Sequence, residues 1–391
     1  MYIALTEDQI ALRDELREYF SRLMTEDLLA EMFSGSGGEG GSHYRQIVKQ
    51  MADDGWLGLG WPTEYGGQAR SMVDQLIFAD EAQRASAPVP FLTLNTVGPT
   101  IMRFGSDEQK KRFLPGILKG DIHFSIGYTE PGAGTDLASL QTRAIRDGDE
   151  YIVNGQKVFT SLIEYADYVW LAVRTDPDVA KHKGISILIT PTATPGFSFT
   201  PINTMGDAPT SSTYYEDVRV PVANLVAGEN RGWELLTTQL NHERVALCNA
   251  GGVQALLDET RRWAHEHKGP DGQRVIDHEW VQLNLARVHA KVEFLKVMNW
   301  KVAWGLDKGI SPADASATKV FASEFYCEAY RLLLEVFGPV GYVKDQSPGA
   351  VLRGKIERWY RATLIFTFGG GTNEIQRDII AMLGLGMPRG N

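Results

Sequence analysis

The sequence lacks the features that define several large classes of protein. Its 391 residues include only two cysteines, Cys248 and Cys327, too few for a disulfide framework or a cysteine-rich metal site. No stretch approaches the ~18 consecutive apolar residues of a membrane span. Basic residues are outnumbered 39 to 49 by acidic ones, giving a formal charge of −10. A nucleic-acid partner would normally leave a basic stripe, so that balance argues against one. There is no His-Glu-x-x-His pattern, and His265 and His267 are two apart, which on a helix points them to different faces. No Gly-x-Ser-x-Gly elbow supports a nucleophilic serine. The opening MYIALTEDQIALRDELREYF carries early acids and reads as neither a signal nor a transit peptide. A reducing cytoplasm, with no membrane partner, is the expectation.

One motif match is a decoy. Gly35-Ser36-Gly37-Gly38-Glu39-Gly40 fits Gly-x-Gly-x-x-Gly, but the helical-looking MTEDLLAEMF precedes it. A dinucleotide fingerprint needs a strand there and a βαβ unit around it. The stretch 35–42 reads instead as a loop.

What is present is an ordinary globular composition, 43% apolar and 23% charged, with enough chain for two or three domains. Residues 6–120 carry a helical period. Thr6 and Gln9 have capping-box spacing, and Leu12, Leu16, Phe20 and Leu23 recur at helical intervals. From 123 to about 225 the segments HFSIGYTE, EYIVNGQKVFTS, ADYVWLAVRT, GISILITP and TYYEDVRV are rich in β-branched and aromatic residues. Asn154-Gly155 predicts a hairpin turn, and Gly148-Asp149 a second break. After Gly232 the helical period returns, with Val288, Val292, Leu295 and Trp300 on one face and Ser311-Pro312 opening another helix that stops near Gly338. The order predicts an α+β chain: an N-terminal helical domain (1–122), a middle antiparallel β domain (123–228) and a C-terminal helical domain (229–391).

The richest stretch is YTEPGAGTDLASLQT (128–142), a small, hydroxyl-bearing loop whose backbone can approach a ligand closely. It is followed by NGQKVFTS (154–161), RGW (231–233), HER (242–244) and GGGTNEIQR (369–377). In this order and spacing the chain resembles the acyl-CoA dehydrogenase family over essentially its whole length. Within that family it is most similar to bacterial subunits that dehydrogenate CoA thioesters of steroid side chains. The resemblance implies a C-terminal four-helix bundle, an FAD cofactor, an acyl-CoA substrate and electron-transfer flavoprotein as electron acceptor. A carboxylate would remove the α-proton while the β-hydrogen leaves as hydride to flavin N5. Donors fixed in a water-poor site would stabilise the thioester oxygen as enolate character develops.

Carried over residue by residue, Ile126, Tyr128 and Thr129 match the strand along the flavin ring. Gly134 and Thr135 match the turn near flavin and thioester. Phe159 takes the aromatic position beside the ring, with Thr160 and Ser161 contacting it; alone it would read as a core aromatic. Thr372 and Glu374 fall where the C-terminal segment holds the flavin diphosphate region. Many family members place the catalytic glutamate where this chain has Gly370, which cannot abstract a proton. A minority place it on another helix, at the position of Glu243. On its own the Glu243-Arg244 pair would read as a solvated helical face. With Gly370 lacking a carboxylate, Glu243 is the expected base, Arg244 an orienting residue on the substrate side, and the Gly370 N–H a thioester-oxygen donor.

Two departures bear on partners. The family's Arg-x-x-Phe-Gly and Gln-x-x-Gly-Gly elements reach a neighbouring subunit's FAD. Here they read KGPDG (268–272) and EVFGP (335–339), with Lys268, Asp271, Glu335 and Pro339 at the key positions. A carboxylate near a diphosphate is unfavourable and proline has no N–H. The pattern predicts a paralogous partner in an α2β2 heterotetramer. An acyl-CoA oxidase, or a non-catalytic scaffold subunit of a heteromeric dehydrogenase, are the competing readings.

Overall fold

The computed structural model describes residues 4–33, 43–306, 311–345 and 347–388, the side chains of 31–33, 240–247 and 306 excepted. The glycine-rich 35–42 segment, and with it the decoy motif, lies outside the described residues. Helices come first: α1 (Glu7–Leu23), α2 (Glu26–Phe33), α3 (Tyr44–Asp53), α4 (Met72–Arg84), α5 (Gly98–Phe104) and α6 (Asp107–Leu118). The capping box is present, with Thr6 Oγ1 accepting from the Gln9 N–H at 3.2 Å and Gln9 Oε1 accepting from the Thr6 N–H at 3.0 Å. The same device opens α4 at Ser71 and α6 at Ser106. Leu12, Leu16 and Phe20 are buried, as their spacing requires, while Leu23 is half-buried. A π-helical turn, Leu92–Val97, leads into α5, and Thr93 Oγ1 accepts the Phe124 N–H at 3.0 Å, fastening the helices to the sheet.

The sheet has eight strands: β1 (Phe124–Gly127), β2 (Arg143–Asp147), β3 (Glu150–Ser161), β4 (Tyr168–Arg174), β5 (Ile185–Pro191), β6 (Phe197–Ile202), β7 (Thr210–Pro221) and β8 (Leu225–Val226). Their order is β6-β7-β3-β2-β4-β5-β8, with β1 beside β4. Most pairings are antiparallel, but β1 runs parallel to β4, so the sheet is mixed.

The hairpin expected at Asn154-Gly155 is not there. β3 passes straight through, and the chain reverses at Gly148-Asp149, where Asp147 faces Glu150 and Gly148 has φ +62°. The strand pairs on both sides, with β2 and β7, and a long central strand gains more ladder bonds than a turn would. Asn154-Gly155 instead marks a register shift against β7, the other common use of a strand glycine. A Cβ on Gly155 would stand 2.7 Å from Thr142 Cα.

Helices then resume with α7 (Gly232–Leu247), α8 (Gly251–Glu266), α9 (Glu279–Leu306), α10 (Pro312–Phe337), α11 (Lys355–Ala362) and α12 (Asn373–Ile379). α10 packs on α7, α8 and α9, completing a four-helix bundle. Ser311 caps α10 ahead of Pro312, and the helix ends at Phe337 before Gly338 at φ +59°. Val288, Val292 and Leu295 are in the bundle core, with Trp300 half-buried. Asp80 of α4 receives the N–H groups of Ala250 and Gly251 at 2.9 and 3.1 Å, joining the first helices to the bundle. Burial dominates its titration and pushes the carboxyl up to about 6. No described helix is long and apolar enough to cross a membrane.

Candidate functional site

On the sheet side, the structure gathers Ile126, Tyr128, Thr129, Phe159, Thr160 and Ser161. The end of β1 lies over β3: the Val158 N–H donates to Thr129 O at 2.9 Å, and Ser125 Oγ donates to Ser161 O at 2.8 Å. β3 breaks register against β7 between Lys157 and Thr160, and inside that break Phe159 adopts φ +59° and is 59% exposed. A phenylalanine in the left-handed region is strained by roughly 1–2 kcal/mol, and an exposed ring recovers little of that by packing. Such strain concentrates at functional sites. Thr160 is buried against Thr213, and Ser161 Oγ reaches Thr210.

The loop after Tyr128 is fixed by an ion pair that the motif does not advertise. Lys157 is fully buried, and its Nζ donates to Glu130 Oε1 at 2.7 Å and to Tyr128 O at 3.1 Å. Glu130 also accepts the N–H groups of Gln141 and Thr142 at 2.6 and 2.8 Å. Burial alone would raise the Glu130 pKa; the lysine and the N–H donors outweigh it and hold the carboxyl below its ordinary value. Burial lowers Lys157 in turn. Beyond this anchor the tip is open. Gly134 and Thr135 are exposed, and a Cβ on Gly134 would meet nothing within 4 Å.

α7 carries Glu243 and Arg244, whose side chains are outside the described set. One turn earlier on the same helix, Gln239 is only 1% exposed and accepts from Tyr128 Oη at 2.5 Å. Its Nε2 is buried without a partner among the described residues. Gln239 was not among the expected site residues, although its spacing of four from Glu243 was a usable signal. The structure thus ties the helix of Glu243 to the strand of Tyr128.

The triglycine turn belongs to the helical bundle. Gly370 and Gly371 have φ +68° and +90°, and Gly369 N–H donates to Ile365 O at 2.7 Å. The bonds holding the turn run to α10 and α12: Lys319 Nζ donates to Gly371 O at 2.7 Å, and Gln376 Nε2 to Gly370 O at 3.3 Å. Thr372 is the N-cap of α12, its Oγ1 accepting the Ile375 N–H at 3.3 Å, and Glu374 is exposed in the first turn.

At the departing positions, Glu335 is occupied by Arg331 on its own helix at 2.6 Å and by Asn284 at 3.2 Å. Asp271 lies 3.5 Å from His278. Among the described residues no cluster of three metal ligands occurs. The sheet side fits a flat, polar-edged cofactor such as FAD: an exposed aromatic on strained backbone, an open glycine tip, and an orphaned buried amide donor beside Tyr128.

Helices, sheet and bundle in this order, with such a site at the strand ends, define a flavin-type dehydrogenase architecture. The chain belongs to the acyl-CoA dehydrogenase family: the family's N-terminal, middle and C-terminal domain models match residues 6–121, 125–218 and 230–385. It is an acyl-CoA dehydrogenase by that membership and by its relatives. It is 61% identical to acyl-CoA dehydrogenase FadE26 of Mycobacterium tuberculosis, covering 100% of both chains. Among solved structures it superposes on a chain of the ChsE4-ChsE5 complex from Mycobacterium tuberculosis with TM-score 0.93 at 61% identity, covering 100% of both. It superposes on a chain of the Tcur3481-Tcur3483 steroid ACAD with TM-score 0.94 at 49% identity, again covering 100% of both.

Proposed function

We propose that this chain is the FAD-binding, catalytic subunit of a heteromeric acyl-CoA dehydrogenase, acting in the cytoplasm on a bulky or branched acyl-CoA of the steroid side-chain type. The observation that carries the reading is Gly370, a glycine at positive φ in a held turn, at the position where many family members carry the catalytic glutamate. The absent side chain leaves room for a branched α-carbon or a ring system. The described relatives at 61% and 49% identity include a steroid ACAD and two-component complexes, which supports both the substrate class and the partner.

In this reading Ile126, Tyr128, Thr129, Gly134, Thr135, Phe159, Thr160, Ser161, Thr372 and Glu374 hold the FAD. Bound there, FAD would supply the acceptor for the β-hydrogen, taken as hydride. Glu243 takes the α-proton, and Arg244 orients the region. The Gly370 N–H donates to the thioester oxygen as negative charge develops on it. The product is the α,β-enoyl thioester, and electron-transfer flavoprotein is the onward acceptor. Removing a positioned general base lowers rates by about 10²–10⁴-fold. Glu243→Gln, co-expressed with its partner, is expected to retain FAD and lose anaerobic bleaching by acyl-CoA to that extent; bleaching at the wild-type rate overturns the assignment. A panel of straight, branched and steroid acyl-CoAs tests the substrate class.

The heteromer is supported by Glu335 and Asp271, whose carboxylates are engaged within the chain where donors to a neighbour's FAD are expected. It is also supported by an exposed stripe on α9 comprising Trp280, Leu283, Phe294, Val297 and Trp304. Successive spacings of 3, 11, 3 and 7, each three or a sum of threes and fours, place these on one helix face. Purification of this chain alone, as a homo-oligomer with full and tight FAD, would overturn the heteromeric reading.

A further inference from the structure

Three consecutive glycines form the least constrained turn a chain can make. A backbone N–H drawn from such a turn assists a developing oxyanion only if its direction is fixed beforehand. The structure fixes it from both sides. Upstream, the Gly369 N–H is bonded to Ile365 O at 2.7 Å. Downstream, the Gly370 and Gly371 carbonyls are taken by Gln376 Nε2 and Lys319 Nζ at 3.3 and 2.7 Å. Between these clamps the Gly370 peptide has little freedom left.

Lys319 is an unusual choice for that task. It sits on α10 in SATKVFASEF, among small and apolar residues, and is only 3% exposed. Burying an ammonium is expensive unless its donors are used. Its Nζ also donates to Asn373 Oδ1 at 2.8 Å. Asn373 is itself locked, its Oδ1 accepting from Ser323 Oγ at 3.1 Å and its Nδ2 donating to Glu324 Oε1 at 3.3 Å. The lysine therefore connects the turn, the start of α12 and the middle of α10 through one buried cation. Gly371 is fitted to this arrangement: a Cβ there would stand 2.7 Å from Gln376 Nε2.

We infer that Lys319 is a positioning residue for dehydrogenation, locking the 369–371 turn so that the Gly370 N–H points at the substrate's thioester oxygen. This rests on the reading of Gly370 as the thioester-oxygen donor. Lys319 touches neither substrate nor cofactor in this role; it acts through the turn.

The test uses the co-expressed complex and a chromophoric arylacryloyl-CoA, whose absorption moves to longer wavelength when its carbonyl is polarised. Lys319→Met is expected to keep its FAD and lose most of the red shift. Its maximal rate of flavin reduction should fall about 10–100-fold, short of the loss of a whole oxyanion donor, with KM changing less. Lys319→Arg, which restores a buried cationic donor, should recover part of both. A full red shift in FAD-loaded Lys319→Met overturns the inference. Should that variant fail to fold, Lys319→Gln keeps a neutral donor: an intermediate shift supports the role, and a wild-type shift overturns it. Absence of any shift in the wild-type complex overturns the Gly370 reading itself, and the inference with it.

Discussion

Two buried lysines, Lys157 on β3 and Lys319 on α10, hold the two loops of the candidate site, and they do so differently. Lys157 is matched to a carboxylate, Glu130, as well as a carbonyl. Among the described residues, Lys319 donates to a peptide carbonyl and a side-chain amide oxygen. The first arrangement is an ion pair whose partners depend on each other for burial. The second is a bracket that orients backbone. The sheet-side lysine is therefore expected to govern stability, and the bundle-side lysine to govern rate.

Breaking the ion pair should give the largest effect. Lys157→Met strands the Glu130 carboxylate in the interior, and losing one partner of a buried pair destabilises by about 3–5 kcal/mol. Urea unfolding of the complex reads it, and a loss below 1 kcal/mol would erase the contrast with Lys319.

Asp80 sharpens the comparison, because it is a buried acid met by two N–H groups where Glu130 has a lysine besides. Their titrations separate accordingly, Glu130 lowered and Asp80 pushed up to about 6. The signs are opposite. Glu130 contributes stability above the ordinary carboxylate range that is lost as pH falls. Asp80 contributes stability at low pH that is lost as pH rises through about 6. Asp80→Asn keeps an acceptor for Ala250 and Gly251 while removing the titration. Melting temperatures across pH 4–7 should show the fall attributable to Asp80 vanish, a change of roughly 1–3 kcal/mol.

The smallest effect concerns Phe159. Phe159→Gly should raise the stability of the FAD-free chain by about 1 kcal/mol through release of left-handed strain, while weakening FAD retention. A drop in FAD-free stability would mean that the exposed ring is packing after all.

Much of this was legible in the sequence, for identifiable reasons. Capping boxes and helical periods are local, so Thr6, Ser311, Leu12 and Val292 behaved as read. The hairpin at Asn154-Gly155 failed because turn propensity is weighed against pairing on both sides of β3, which only the full sheet reveals. The parallel seating of β1 on β4 depends on strands 44 residues apart in register, Phe124 with Tyr168. Lys319 and Gly371 lie 52 residues apart. What pointed to that bracket was visible but unread: the single lysine of α10, in a stretch rich in alanine and phenylalanine. Gln239 likewise had a signal, its spacing of four from Glu243, that gains weight once Tyr128 is placed against it.

The backbone at Gly370 also bears on the chain's history. Any side chain restored there must occupy φ +68°, roughly 1–2 kcal/mol above where an L-residue prefers to be. It must do so in a turn already braced by Lys319 and Gln376. Reversion at this position is therefore opposed by the local conformation as well as by any bulky acyl group that has come to fill the space. If the proposed base on α7 is correct, a lineage that moved it there would find the return path uphill, and the turn would act as a ratchet on the evolution of substrate choice.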